Sequence, residues 1–261
     1  MIWAGIQKIR EDAPLVLNIT NYVVMNNTAN ALLAIGASPV MACAAEEMEE
    51  LVGLSRALVI NIGTLSAPWI EAMLIAGRAA NRLNIPVILD PCGSGAARFR
   101  TDTVKKLIHQ IHPAIVRGNA SEIRSLVQSD TPAKGVDSCH TPDQVLEDAR
   151  ALSLSAGCVV SVSGAVDLIV EDDKIARVAN GHPMMTRVTG MGCTASALTG
   201  AFAAANLSFF NAATHAMAVM GIAGELAVER ADGPGSLQMY FLDALYGISE
   251  SDISRCENIK I

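Results

Sequence analysis

Short apolar runs alternate with longer segments of helical periodicity along most of the chain. Residues 15–20, 57–62 and 86–90 are such runs and consist mainly of Val, Ile and Leu. A run without polar alternation is typical of a strand that is buried on both faces, as in a parallel sheet covered by helices. The pattern therefore predicts an α/β fold.

The other elements follow from the same alternation and from turn residues. Strands are predicted at residues 15–20, 39–43, 57–62, 86–90, 114–118, 158–163, 167–171 and 175–179. Helices are predicted at residues 1–11, 26–35, 44–54, 67–83, 101–111 and 142–155, from Asn119 onward, and from Cys193 to the end. Residues 130–141 are polar and predict a loop, and residues 184–188 form a further extended run.

Turn signals separate two kinds of strand. Gly164 and Asp172-Asp173 lie between the last three predicted strands, and such short polar turns favour antiparallel hairpins. The helices that separate the earlier strands favour a parallel sheet with helices on both faces. We predict a mostly parallel central sheet with antiparallel edge strands. Without a repeat or a long linker, residues 1–261 are expected to form a single domain.

Composition and charge exclude some classes of partner. The 261 residues are 51% hydrophobic and 17% charged, and the net charge is −7. This charge disfavours a nucleic-acid or anionic-membrane surface, and no Lys/Arg cluster opposes that view. The apolar region 191–227 contains Asn206, Asn211, His215 and Glu225, which predicts buried helices rather than a membrane span.

The termini and cysteines indicate the compartment. The first ten residues contain no long apolar run before their charges, unlike a signal peptide. The six cysteines, at positions 43, 92, 139, 158, 193 and 256, include no C-x-x-C pair. We therefore expect free thiols in a cytoplasmic protein.

The stretch from Thr189 to Ser196 contains Gly190 and Gly192 between the extended run 184–188 and a segment of small residues. A glycine turn before a helix lets the backbone approach a ligand, and the N–H groups of the first helical turn favour negative charge. A structural turn alone remains an alternative. The stretch also matches the dinucleotide fingerprint, but residues 209–214 provide neither the strand nor the acid that this motif requires.

Polar residues follow several predicted strands, and ligands bind beyond the carboxyl ends of parallel strands. Individually they also fit structural roles: Asp90 a turn, Asn119 and Glu122 a capping box, and Ser163 a hairpin. Together they suit phosphoryl transfer, which needs positioning and charge neutralisation. The candidates are Asn21, Met41, Gly63, Asp90, Arg117, Asn119, Glu122, Ser163, Gly190, Gly192 and Cys193.

The chemistry assigns each group a role. Asp90 and Glu122 supply hard oxygen ligands for Mg²⁺, directly or through water. Arg117 is suited to bidentate contact with phosphate oxygens. The glycine turn would stabilise charge on the transferred group. The chain lacks G-x-x-x-x-G-K-[ST], which excludes a P-loop enzyme.

Several motifs resemble those of the hydroxyethylthiazole kinase family of thiamine salvage, in the same order, over residues 10–246. They are residues 18–24 (NITNYVV), 34–41 (AIGASPVM), 61–64 (NIGT), 89–91 (LDP), 117–122 (RGNASE), 135–138 (GVDS), the Gly190–Cys193 turn, 233–236 (GPGS) and 241–245 (FLDAL).

The resemblance implies a three-layer α/β/α ribokinase-like fold and a homotrimer with active sites between subunits. It also implies ATP-dependent phosphorylation, with Mg²⁺, of the hydroxyl of 4-methyl-5-(2-hydroxyethyl)thiazole. By motif match, Met41, Gly190, Asn21 and Val23 would line the thiazole pocket. Arg117, Ser163 and Asn119 would bind the nucleotide, and Asp90 and Glu122 the metal.

Two positions depart from the family pattern. Met191 stands where the turn usually has Thr, which removes a hydroxyl beside the phosphates. Cys92 stands where Val usually follows Asp90-Pro91. Neither departure removes a glycine of the turn, so the reaction class is expected to remain the same.

Cys193 occupies the position at which related kinases of this fold have an Asp base. A thiol with an ordinary pKa of about 8.5 is mostly protonated at neutral pH, although a helix N-terminus lowers this pKa. Our hypothesis is that Cys193 orients the alcohol and accepts its proton late in the transfer. The alternatives are a kinase of the same fold that acts on a pyrimidine or sugar alcohol, and a nucleotide-binding regulator without catalysis.

Overall fold

The computed structural model describes residues 1–128, 141–205 and 208–261, and its centre is a nine-stranded sheet. The strands are β1 (Leu15–Ile19), β2 (Ser38–Met41), β3 (Ala57–Asn61), β4 (Val87–Asp90), β5 (Ile115–Asn119), β6 (Val159–Ser163), β7 (Asp167–Glu171), β8 (Lys174–Val178) and β9 (Ile259–Lys260). Their order is β2-β1-β3-β4-β5-β6-β7-β8-β9. All pairs from β2 to β6 are parallel, and those from β6 to β9 are antiparallel. The predicted mixed sheet is confirmed.

Helices connect and cover the strands. They are α1 (Ile2–Asp12), α2 (Met25–Ile35), α3 (Met48–Leu54), α4 (Ala67–Leu83), α5 (Arg98–Ile111), α6 (Ala120–Val127), α7 (Pro142–Ala156), α8 (Met191–Ala205), α9 (Phe209–Val228), α10 (Pro234–Gly247) and α11 (Glu250–Cys256). Short 3₁₀ helices span Ala45–Glu47 and Pro183–Arg187. Across the described parts of the chain, no helix combines the length and the apolar character needed to cross a membrane.

The sheet separates two apolar cores because successive strand side chains point to opposite faces. Val16 and Val59 pack on the face that carries α1, α2, α8, α9 and α10. Leu17 and Leu58 pack on the other face, against helices α3 to α7. This arrangement confirms the predicted three layers, with helices on both sides of the sheet.

The predicted strand at residues 184–188 is wrong. Pro183 begins a 3₁₀ helix there, and the Nδ1 atom of His182 accepts the N–H of Met184 at 3.1 Å. Proline has no N–H for a strand ladder, and the capped first turn provides partners for backbone groups within the helix. The segment before Gly190 is therefore helical rather than extended.

Other differences lie at element boundaries. α8 begins at Met191, so Gly192 and Cys193 belong to its first turn. α5 begins at Arg98, three residues before its predicted start, and the helix predicted from residue 44 begins as a 3₁₀ turn. The two-residue strand β9 was not predicted. In the predicted loop, only Thr141 is described. Residues 130–140, which include the motif at 135–138 and Cys139, lie outside the described residues.

Candidate active site

Cys193 lies at the carboxyl edge of the sheet, where side chains from two neighbouring strands reach its sulfur. Asn21 follows β1 and donates from Nδ2 to the Cys193 Sγ at 3.4 Å. Asn61 ends β3 and donates from Nδ2 to the same sulfur at 3.3 Å. Asn21 Nδ2 also donates to Asn61 Oδ1 at 2.9 Å, which fixes both amides. Two strands and a helix thus hold the thiol in one position.

The surroundings of Cys193 favour its charged form. The pKa of the Cys193 thiol is lowered, chiefly by a hydrogen bond with the Cys92 side chain and then by those from Asn21 and Asn61. Burial and the charge of Asp90 oppose this effect. Hydrogen bonds to a thiolate stabilise it relative to the thiol, so this sulfur is more readily deprotonated and has room for a proton.

Gly190 and Gly192 have different structural roles before and within α8. Gly190 has a φ of 84°, and a Cβ on it would lie 2.7 Å from Val24 Cγ1, so the chain there requires glycine. The Gly190 carbonyl accepts the N–H of Thr194 at 2.8 Å, which starts the helix. Gly192 lies within the first turn and leaves room for the Arg117 guanidinium, whose Nη1 donates to the Gly192 carbonyl at 2.9 Å.

Arg117 is a buried cation among carboxylates. Its exposed fraction is only 6%, and its charge acts on Asp90, Glu122 and Asp167. Its Nε has no hydrogen-bond partner within the described residues. A buried guanidinium with an unused donor at a cavity wall can bind an anionic group.

Asp90 ends β4 and is 3% exposed. Its Oδ2 accepts the hydroxyl of Ser196, which lies on α8, at 2.7 Å. Burial raises the pKa of Asp90, and the charge of Arg117 and the Ser196 hydrogen bond partly oppose this. A buried carboxylate in this state would be stabilised by a nearby cation.

Glu122 and Asn119 form the predicted capping box at the start of α6. Asn119 Oδ1 accepts the N–H of Glu122 at 2.9 Å, and Glu122 Oε2 accepts the N–H of Asn119 at 2.8 Å. Glu122 Oε1 also accepts the N–H of Gly93 at 2.8 Å. Burial and the charge of Asp90 raise the pKa of Glu122, although these N–H groups lower it. Asn119 and Glu122 therefore form the helix cap that the sequence predicted as their structural role. A cap does not exclude a second role in ligand binding.

Burial raises the pKa of both Asp90 and Glu122, and the charge of Asp90 raises that of Glu122 further. Two such carboxylates fit a divalent cation, since hard oxygens are the ligands that Mg²⁺ prefers. The part of the chain described by the structure contains no group of three or more His, Cys, Asp or Glu side chains that could hold a metal by themselves. Mg²⁺ commonly uses one or two carboxylates together with water and substrate phosphates, and Asp90 with Glu122 matches that donor set.

A cavity of about 640 Å³ opens beside the first turn of α8. Its wall includes Arg117, Ser163, Asp167, Gly190, Met191 and Gly192. Ser163 ends β6 and donates from Oγ to the Gly118 carbonyl at 3.4 Å. Asp167 Oδ1 accepts the N–H of Gly164 at 2.9 Å, while burial raises the pKa of Asp167 to about 6. The cavity thus combines one buried cation with backbone and hydroxyl groups.

Some predicted residues lie apart from this centre. Met41 ends the edge strand β2 and is half-buried. It packs against the apolar core on the face of the sheet that carries α1, α2 and α8 to α10. Val23 is 69% exposed, whereas its neighbour Val24 is buried against Gly190. Asn119 is exposed as the cap of α6 and is not part of the cavity wall. The cavity wall of the single chain therefore does not include these three residues.

The site also contains residues that the sequence analysis did not assign. Asn61 contacts Cys193, Ser196 contacts Asp90, and Arg100 donates to the carbonyls of Ile62, Gly63 and Cys92. Asn61 had a usable signal, since it is a polar residue that ends an otherwise apolar run. Ser196 and Arg100 lie in helices, where their residue types are ordinary, so only the tertiary structure identifies their partners.

Comparison with known proteins gives a consistent result. The model of the hydroxyethylthiazole kinase family matches residues 6–251. A hydroxyethylthiazole kinase from Syntrophus aciditrophicus (strain SB) is 56% identical over 254 residues, which cover 97% of this chain and 94% of that protein. One from Oleidesulfovibrio alaskensis is 54% identical over 252 residues, which cover 97% of this chain and 95% of that protein.

Solved structures agree with the sequence relatives. The structure of a hydroxyethylthiazole kinase from Pyrococcus horikoshii OT3 aligns with a TM-score of 0.93 and 40% identity, and it covers 99% of this chain and 98% of that one. A Staphylococcus aureus pyridoxal kinase aligns with a TM-score of 0.62 and 16% identity. The alignment covers 80% of this chain and 87% of that one. At that identity the likeness shows the fold alone, which is the one predicted and is shared with ribokinase-like kinases.

Proposed function

The chain belongs to the hydroxyethylthiazole kinase family, and on that premise we propose that it phosphorylates the hydroxyl of 4-methyl-5-(2-hydroxyethyl)thiazole, with ATP as donor. The observation that carries this proposal is the match of relatives of that name over nearly the whole chain. The product is the thiazole phosphate of thiamine salvage. The arrangement around Cys193 supports the reaction type, because it combines a proton acceptor with sites for an anion.

We propose that Cys193 accepts the proton of the alcohol. Asn21 and Asn61 hold its sulfur in place, and their hydrogen bonds remain available to a thiolate. Proton transfer to a positioned base typically contributes about 10²–10⁴ in rate. In a loose phosphoryl-transfer transition state the proton leaves late, which places less demand on the base. Gly190 and Gly192 keep the N–H groups of the first helical turn close to the transferred group.

The cavity beside α8 is the proposed nucleotide site. Arg117 would bind phosphate oxygens through its unused Nε, and Ser163 would contribute its hydroxyl. Asn119 would contribute from the edge of the site. Met191 lines the same cavity and brings a thioether where the family usually has a hydroxyl. The net charge of −7 does not attract an anionic nucleotide at long range, so Arg117 would supply the local positive charge that its phosphates need.

Asp90 and Glu122 are the proposed Mg²⁺ ligands, directly or through water. When bound, Mg²⁺ neutralises charge on the transferring phosphates. Ser196 orients Asp90, and the N–H groups of Gly93 and Asn119 orient Glu122. Both carboxylates are thus preorganised by α8 and by the backbone.

The thiazole pocket is proposed to involve Asn21, Val23, Met41 and Gly190. Asn21 and Gly190 lie beside Cys193, whereas Val23 is exposed in the single chain. A homotrimer with active sites between subunits would cover Val23 with a neighbouring copy. We further propose that residues 1–261 form one domain and that the protein acts in the cytoplasm.

A coupled ADP-release assay tests the function. Wild-type protein receives MgATP with the thiazole alcohol, with a pyrimidine alcohol, with ribose, or with no acceptor. We expect ADP formation that depends on the thiazole alcohol. Cys193→Ala should reduce this rate by about 10² or more, whereas the control Cys256→Ser, on the peripheral helix α11, should retain it.

The other outcomes separate the alternatives. Turnover with only the pyrimidine alcohol or ribose would retain the fold and the phosphoryl chemistry but reject the thiazole. ATP binding without turnover of any acceptor would favour the non-catalytic regulator. Equal loss in the Cys193 and Cys256 variants would show that the assay reports stability rather than catalysis.

A further inference from the structure

The site contains a second thiol that the proposed reaction does not use. Cys92 follows Asp90 and Pro91 at the end of β4. Asp90 pairs in register with Asn61, whose Nδ2 donates to the Cys193 Sγ at 3.3 Å, and the Cys92 and Cys193 side chains interact with each other. Both cysteines are half-buried rather than enclosed in the core. A disulfide between them forms when the two sulfurs approach to about 2.05 Å.

The backbone keeps Cys92 within reach of Cys193. Arg100 Nη1 donates to the Cys92 carbonyl at 2.9 Å, and the same side chain donates to the Ile62 and Gly63 carbonyls beyond β3. The Ser94 N–H donates to the Pro91 carbonyl at 2.8 Å and closes the turn around Cys92. The turn therefore cannot carry the Cys92 sulfur away without breaking these bonds, and side-chain rotation is the motion that remains.

Cys193 is the thiol suited to react first. The amides of Asn21 and Asn61 both donate to its sulfur, and such donors stabilise the thiolate, which is the nucleophilic form. By contrast, burial raises the pKa of the Cys158 thiol to about 12, and the interaction with Cys193 together with burial raises the pKa of the Cys92 thiol, so Cys92 is the second thiol to react. A peroxide that enters the active site therefore meets one activated sulfur with a second thiol beside it.

We propose that Cys92 and Cys193 form a reversible disulfide when the enzyme meets hydrogen peroxide, and that this bond switches off phosphoryl transfer. The loss of kinase activity rests on the proposed function, whereas formation of the bond does not. A two-cysteine arrangement of this kind, with an activated thiol and a resolving one, is how reversible redox sensors avoid further oxidation.

The chemistry balances with peroxide as the oxidant. The Cys193 sulfur attacks one peroxide oxygen, the O–O bond breaks, and the second oxygen leaves as water after taking the thiol proton. This step forms a sulfenic acid on Cys193. The Cys92 sulfur then attacks the Cys193 sulfur, and the S–O bond breaks. The hydroxyl leaves as water with the Cys92 proton. In total, two thiols lose two electrons, and one peroxide is reduced to two waters.

The disulfide blocks the reaction because it occupies the proton acceptor. A sulfur bonded to Cys92 cannot take a proton from the alcohol, and it is no longer a free acceptor for Asn21 and Asn61. A bound alcohol should in turn shield Cys193 from peroxide. We therefore expect the thiazole alcohol to slow disulfide formation in the wild-type protein.

The test treats full-length protein with hydrogen peroxide, removes the excess with catalase, and compares each sample with its own reduced control. Three quantities are measured: free thiols after denaturation, the cross-linked peptide by mass spectrometry, and ADP release before and after dithiothreitol. In the wild type we expect a Cys92–Cys193 peptide and a fall in activity of roughly tenfold or more, restored by dithiothreitol. Cys256→Ser should behave in the same way.

Cys92→Val restores the residue that the family usually has and removes the resolving thiol. We expect no cross-linked peptide in this variant. Its Cys193 sulfenic acid is free to oxidise further to sulfinic acid, so the fraction of activity that dithiothreitol restores should fall as peroxide exposure lengthens, whereas the wild type stays recoverable. Cys92→Ser serves as a second variant if the valine is poorly accommodated. Recovery in both variants as complete as in the wild type after prolonged exposure, or reversible loss in the wild type without the Cys92–Cys193 peptide, would overturn the proposal. If the protein had no thiazole kinase activity, the thiol count and the peptide would still decide whether the bond forms.

Discussion

At the residue scale, the site depends on how a few buried polar groups are partnered. Cys193 receives hydrogen bonds from Asn21 and Asn61, and Asp90 receives one from Ser196. Buried polar groups without partners are costly, so each of these bonds both stabilises the fold and fixes a functional atom. A substitution at one of these residues is therefore measured both by kinetics and by unfolding.

Cys193→Ser tests the role of the thiol. Serine retains the hydrogen-bonding geometry but is a far weaker proton acceptor, so we expect kcat to fall about 10- to 100-fold with little change in KM. Steady-state kinetics with varied thiazole alcohol provide the measurement. Complete loss of turnover with intact substrate binding would instead indicate an obligatory thiolate base and reject late proton transfer.

Asp167→Asn tests the cost of a buried charge in the cavity wall. Burial raises the pKa of this carboxyl from its usual 3.8 to about 6, so the folded state binds more protons than the unfolded state between these values. Stability from this group is therefore present below pH 4 and is lost as the pH rises to 6. Asparagine can still accept the Gly164 N–H. We expect it to raise the free energy of unfolding at pH 7 by roughly 1–3 kcal/mol.

Urea unfolding at pH 4, 5, 6 and 7 measures this effect, and the gain should shrink toward pH 4. Glu171→Gln is the matched control because Glu171 lies on the same strand with its charge paired to the exposed Lys174. An equal gain for Asp167→Asn at all four pH values would contradict the assignment.

At the element scale, the first turn of α8 organises the site. It positions Cys193, presents the Gly192 carbonyl to Arg117, and starts at Gly190, whose conformation brings the helix against Val24. The helix then packs across the centre of the sheet, so its start is fixed relative to the strand ends. A small change at Gly190 should therefore affect both stability and catalysis.

Gly190→Ala is expected to lower the free energy of unfolding by about 2–4 kcal/mol, because it combines a left-handed φ with a Cβ 2.7 Å from Val24. Thermal or urea unfolding measures the loss. Gly235→Ala is the control, since nothing lies within 4 Å of a Cβ on Gly235. Val24→Ala in the Gly190→Ala background should restore part of the stability. If it does not, the clash is not the cause.

At the scale of the whole molecule, parallel connections bring the ends of β1, β3, β4, β5 and β6 to one edge of the sheet. Residues far apart in sequence thus meet in one site. The same edge leaves Tyr22 and Val23 exposed directly after Asn21. A trimeric assembly would cover these apolar side chains and complete the proposed thiazole pocket.

Val23→Asp tests that assembly. A charge placed in an apolar interface core is unfavourable, so we expect the variant to dissociate in light scattering coupled to size-exclusion chromatography and to lose activity at low concentration. Leu154→Asp on α7 is the control, because Leu154 is similarly exposed. A wild type that is monomeric at all concentrations, or a fully active Val23→Asp trimer, would contradict the proposal.

The sequence by itself determined the elements with strong local signals. Continuous apolar runs predicted the parallel strands, Gly164 and Asp172-Asp173 predicted the hairpins, and Asn119 with Glu122 predicted the capping box. The strand predicted at residues 184–188 failed because Pro183 and the cap from His182 outweighed the apolar pattern. The motif order indicated the family, which the comparisons confirmed.

Only the tertiary structure decided which side chains act together. The sequence marks Asn61 as a polar strand end but does not identify its partner, and Ser196, Cys92 and Arg100 carry no such signal, because hydrogen bonds between distant strands and helices depend on sheet order and packing. The same packing buries Asp90 and Arg117 and so sets their electrostatics, which no local pattern encodes. Sequence thus determined the strands and the chemistry of the residues at their ends, whereas the fold determined the distances and the burial on which that chemistry depends.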